Sequence, residues 1–65
     1  DYTLFAVGQQ VRMRRSPHVG MIGSITNLPA GLSKLPSGLR APAAEVKLEN
    51  GDTALVPLVN LEVVG

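Results

Sequence analysis

A chain of 65 residues holds one domain, and a domain of that size buries only about 60% of the surface its unfolded chain exposes. It has no cysteine, which excludes a disulfide framework or a thiolate metal site, and no apolar run approaches the roughly 20 residues of a membrane-spanning helix. A formal net charge of +1 is too small for the broad attraction to phosphate that marks a basic nucleic-acid binder, and an apolar share of 45% suits a packed chain rather than a disordered one.

The first residues, Asp1-Tyr2-Thr3-Leu4, carry neither the basic nor the apolar region of a secretory signal and include no initiator Met. Residues 1–6 read as an N-terminal arm and residues 7–65 as the single domain, expected to be part of a larger protein. The absence of cysteine leaves the compartment open on redox grounds, with the cytoplasm favoured.

Val11 and Met13 alternate with Arg12 and Arg14, the period-two pattern of a half-buried first strand, which Ser16-Pro17 interrupts. Met21 to Leu28 suits a second, antiparallel strand, with Gly20 in the turn before it, where positive φ is cheap only for glycine. From Pro29 to Pro42 no period survives, and the prolines and glycines there predict a long loop. Inside it, Leu28-Pro29-Ala30-Gly31-Leu32 is nearly repeated as Leu35-Pro36-Ser37-Gly38-Leu39.

Val46 and Leu48 then alternate with Glu45, Lys47 and Glu49, and Asn50-Gly51 follows, a strong hairpin signal. Thr53 to Val56 forms the return strand and Pro57 ends it, since proline cannot donate to a ladder. Leu58-Val59-Asn60 reads as a single 3₁₀ turn and Leu61 to Val64 as the last strand. The fold class is therefore all-β: five short strands, a long loop between the second and third, and a 3₁₀ turn before the last. A strongly bent sheet closing on itself would remove the exposed edges. The expected inward set is Val11, Met13, Ile22, Ile25, Val46, Leu48, Val56, Leu58, Leu61 and Val63.

Val7-Gly8-Gln9-Gln10-Val11-Arg12-Met13 followed by Pro17-His18-Val19-Gly20-Met21-Ile22-Gly23-Ser24-Ile25 resembles the KOW motif. Ala44 to Gly51 and Val56 to Glu62 are similar to the closing strands and 3₁₀ turn of many SH3-like barrels. The resemblance spans residues 7–28 and 44–64, leaves the long loop outside, and has Gln9 where the motif carries an acid. It implies a five-stranded SH3-like, KOW-type barrel of the kind found in ribosomal proteins and transcription elongation factors, where it contacts RNA or other proteins.

Two sets of residues are candidates for contact. Arg12, Arg14, Arg15, His18, Arg40 and Lys47 could form a basic edge for phosphate or simply a solvated face. Leu32, Leu35 and Leu39 could cover one end of the core or present an apolar surface to a partner. Gly20, Gly23, Asn50 and Gly51 are expected at turns or bulges rather than as a nucleic-acid clamp, because the flanks of Gly20-Met21-Ile22-Gly23 are strands and not helices. The two aromatics, Tyr2 and Phe5, both fall in the arm, so no base-stacking platform is expected on the strands. With a single histidine and no nucleophile in a recognisable setting, neither catalysis, a cofactor nor a metal is expected. The expectation is a monomeric, non-catalytic module contacting a protein, a ribonucleoprotein or its parent chain. A direct RNA- or DNA-binding role and a purely structural role are the competitors, and no membrane contact is expected.

Overall fold

The computed structural model describes residues 5–65 and is all-β. Tyr2 and most of the expected N-terminal arm lie outside the described residues. Among the described residues, seven strands form two sheets: β1 (Gln10–Met13), β2 (Ile22–Asn27), β3 (Ser33–Lys34), β4 (Arg40–Ala41), β5 (Ala43–Leu48), β6 (Thr53–Pro57) and β7 (Leu61–Val63). A 3₁₀ turn, Leu58–Asn60, joins β6 to β7. The main sheet has the order β6-β5-β2-β1-β7, and every recorded pairing in it is antiparallel. β6 and β7 do not pair, so the sheet stays open where full closure was expected.

Register explains the core. Paired residues share a face, so one inner row crosses the sheet as Val63, Val11, Gly23 and Leu48, and the next as Ile25, Val46 and Ala54. The outer face alternates with it: Gln10, Ser24, Lys47 and Thr53 make one row, and Glu62, Arg12 and Ile22 another. The buried cluster consists of Val11, Met13, Ile25, Ala44, Val46, Leu48, Val56, Leu58 and Leu61. All but Leu58 come from this one sheet, so the sheet must curl around its own inner face to enclose them.

Two inward assignments fail, one by phase and one by position at the sheet edge. Ile22 and Ile25 are three residues apart, so a strand of period two cannot bury both on one face, and Ile22 turns outward. Val63 sits on edge strand β7 and remains 38% exposed. Gly23, expected at a turn or bulge, instead lies inside β2 at a buried inward position. A Cβ there would stand 2.6 Å from Val46 Cγ1 and 2.9 Å from the Lys47 carbonyl oxygen, so the neighbouring strand fills the space a side chain would need. The irregularity in β2 lies further on, between Ile25 and Asn27. There Thr26 Oγ1 donates to the Glu45 carbonyl (3.1 Å) and Asn27 Nδ2 to the Glu45 carboxylate (2.9 Å), at a point where a bulge sharpens the bend.

The expected loop between β2 and β5 is not without structure, because β3 and β4 pair within it as a small hairpin. Its turn repeats the one between β5 and β6. The Gly38 N–H donates to the Leu35 carbonyl (2.8 Å) and the Leu35 N–H to the Leu39 carbonyl (2.8 Å). Likewise Gly51 donates to Leu48 (2.9 Å) and Leu48 to Asp52 (2.7 Å). Each is a three-residue loop ending in a glycine of positive φ, +91° at Gly38 and +93° at Gly51, the pattern of a type I turn with a glycine bulge. Pro36 supplies the φ that the first turn residue needs. At the other turn the Asn50 side chain accepts from the Asp52 N–H (3.0 Å). The near repeat at Leu28–Leu32 has no counterpart of these paired bonds.

Candidate functional site

The expected basic edge falls apart into three places. Arg12 and Lys47 lie on the outer face with β2 between their strands. Arg12 Nη1 bonds Glu62 Oε1 at 3.1 Å, with both side chains about half exposed. Such a surface pair contributes on the order of 0.2–1 kcal/mol, but it neutralises the guanidinium locally. Glu45 and Glu49 stand on either side of Lys47 along the chain, and Glu49 Oε1 accepts from the Ile22 N–H (3.3 Å). The outer face is thus a mixed-charge surface.

Arg14, Arg15 and His18 belong to the β1–β2 connection. That segment is tied down at both ends: the Arg14 N–H donates to the Asn60 carbonyl (2.8 Å), and Gly20 donates to the Met13 carbonyl (2.8 Å). Met21 donates to the His18 carbonyl (3.0 Å) across a turn in which Gly20 takes φ +83°, as expected for it. Arg40 lies elsewhere, on β4, directly opposite Lys34 of β3. Lys34 was not among the expected basic residues. Like charges placed directly opposite destabilise a strand pair, so this exposed pair invites an anionic neighbour.

The leucines also separate. Leu32 and Leu39 are 62% and 71% exposed, and Leu35 is half-buried. None of the three belongs to the core cluster or its flank; Leu28, just before the hairpin, packs there instead. The hairpin therefore presents Leu32 and Leu39 to solvent rather than using them as a lid. A shallow apolar groove at its base runs between Leu28, Pro29, Leu32, Pro42 and Leu58.

A larger apolar cleft opens between edge strand β6 and the β1–β2 connection, at the gap the open sheet leaves. Met13 and Val56 contribute to its lining from the core side, Arg15, Pro17 and His18 from the connection, and Pro36 from the hairpin tip. Among the described residues, no Asp or Glu lines it. The β6 contribution was not legible in the sequence, because no local signal says which strand ends at an edge; Pro57 is the one hint, as proline is tolerated there.

Among the described residues, no group of three or more His, Cys, Asp or Glu side chains could hold a metal, and no helix is long and apolar enough to cross a membrane. Compared with known proteins, the chain matches no family model, no curated protein and no solved structure.

Proposed function

We propose that this chain is a non-catalytic interaction module built on an SH3-like, KOW-type fold whose curled sheet stays open, and that it meets a protein or ribonucleoprotein partner through the β3–β4 hairpin and the connection after β1. The observation that carries the reading is the exposure of Leu32 and Leu39, 62% and 71%, on a hairpin held by its own backbone hydrogen bonds. Exposed large apolar side chains on an ordered element favour contact with another surface. The SH3-like reading is supported by the KOW-like residues of β1 and β2, by the 3₁₀ turn, and by the return of β7 to pair with β1. The separation of the cations and the pairing of Arg12 with Glu62 favour a protein surface over bare nucleic acid.

The test is a selection of random displayed peptides on the intact chain, with counter-selection on the Leu32→Ser/Leu39→Ser variant and NMR mapping of those retained. Peptides that depend on the two leucines and shift amides of residues 31–41 support the module. If no leucine-dependent peptide emerges, or if a mixed RNA and DNA pool shifts Arg12 and Arg14 with steep salt dependence, the reading fails.

A further inference from the structure

Backbone bookkeeping at the edge of the main sheet points to a specific mode of contact. The Leu48 N–H donates to the Asp52 carbonyl, which makes that pair a hydrogen-bonded position of the β5–β6 ladder. Bonded and non-bonded pairs alternate along an antiparallel ladder. With Lys47 opposite Thr53, Val46 opposite Ala54, Glu45 opposite Leu55 and Ala44 opposite Val56, the bonds fall on Ala54 and Val56. Thr53 and Leu55 consequently aim N–H and C=O away from β5. Pro57, which has no N–H, sits opposite Ala43 at the matching non-bonded position. Among the described residues no turn or loop hydrogen bond reaches the backbone of Thr53 or Leu55.

This free edge is one wall of the apolar cleft, and Arg15 and His18 belong to the facing wall. We propose that the cleft takes an extended, acidic segment of a partner protein, which adds to β6 as a further antiparallel or parallel strand. Three features converge on that occupant. The edge offers donors and acceptors at two-residue spacing, which only extended backbone can match. Among the described residues, the lining combines apolar surface from Met13, Pro17 and Val56 with the Arg15 guanidinium, the His18 imidazole and no carboxylate, so complementary charge on the occupant is negative. Among the described residues, no Phe, Tyr or Trp lines the cleft, so a stacked proline-rich ligand finds no platform there. In an extended segment with alternating acidic and apolar residues, one side meets the apolar lining and the other answers Arg15 and His18. The inference rests on reading the chain as an interaction module and names the partner chemistry for one of its surfaces.

The experiment titrates the whole ¹⁵N-labelled chain with an acetylated Asp-Val-Asp-Val-Asp-Val peptide, its Lys-Val counterpart, and the acidic peptide N-methylated at its central amides. The acidic peptide is expected to shift amides of residues 15–18 and 53–57 and to slow exchange at Thr53 and Leu55. N-methylation, and separately Arg15→Glu at an exposed turn position, are each expected to weaken binding about tenfold or more, the scale of losing one charge-assisted or paired hydrogen bond. Equal binding of the methylated peptide overturns strand addition. Equal binding of the basic peptide, or no response at residues 53–57, overturns the acidic occupant. Failure here with leucine-dependent peptides still selected leaves the module reading standing; loss of those peptides removes it independently.

Discussion

The turns at Leu35–Leu39 and Leu48–Asp52 share the same pair of backbone hydrogen bonds and the same left-handed glycine, yet they end in opposite circumstances. The second joins β5 to β6 and buries Leu48 to 2% exposure within the main sheet. The first joins two strands of two residues each and leaves Leu39 at 71% exposure. Turn chemistry decides where a chain reverses. What the flanking strands pack against decides how much that reversal stabilises the whole.

The largest separation is expected at the equivalent leucines that open the two turns. Leu48→Ala should cost about 2–5 kcal/mol, as for other large-to-small core changes, whereas Leu35→Ala, at a half-buried site outside the core cluster, should cost about 1 kcal/mol or less. Urea unfolding of the two variants checks this, and equal losses would mean that the hairpin belongs to the core. Next comes Gly23→Ala, which places a methyl against Val46 and the Lys47 carbonyl and should destabilise by about 1–3 kcal/mol through overpacking. A variant with unchanged midpoint would show that β2 and β5 can separate without cost.

The two bulge glycines test the turns themselves. Alanine at either must adopt positive φ, at about 1–2 kcal/mol. For Gly51→Ala that strain should appear in global stability. For Gly38→Ala it should appear as faster amide exchange at Leu35, with the thermal midpoint nearly unchanged, because the small hairpin can open without exposing the core. The smallest effect is expected at the exposed leucines: Leu32→Ser and Leu39→Ser should each stay within about 0.5 kcal/mol of the parent by thermal denaturation.

Periodicity made β1, β5 and the hairpin to β6 legible, because Val11 with Met13 and Val46 with Leu48 alternate cleanly and Asn50-Gly51 marks the reversal. It failed at β2, where two isoleucines of opposite phase suggested one face and the true inward neighbour of Ile25 is a glycine. Ala43 and Ala44, both fully buried, were missed because alanine carries little hydropathic signal and adjacent burial breaks alternation. The β3–β4 hairpin was missed for a different reason: its strands are too short to show any period, and only the turn specifies it. At the candidate site the charged residues other than Lys34 were legible, but their grouping was not. Which of Arg12, Arg15 and Lys47 share a surface depends on strand order, and that is fixed by pairing across the whole chain.

The pairing of β7 with β1 also sets how the domain bears load. Val11 lies opposite Val63 and Met13 opposite Leu61, and the Val64 N–H donates to the Gln10 carbonyl (3.0 Å), so the chain enters and leaves the sheet at the same end of one antiparallel ladder. Tension applied through the two ends therefore falls on one rung at a time and peels β7 away like a zipper, instead of shearing all its bonds together. Pulled this way, the β1–β7 ladder is expected to yield at lower force than an equal number of bonds loaded in shear.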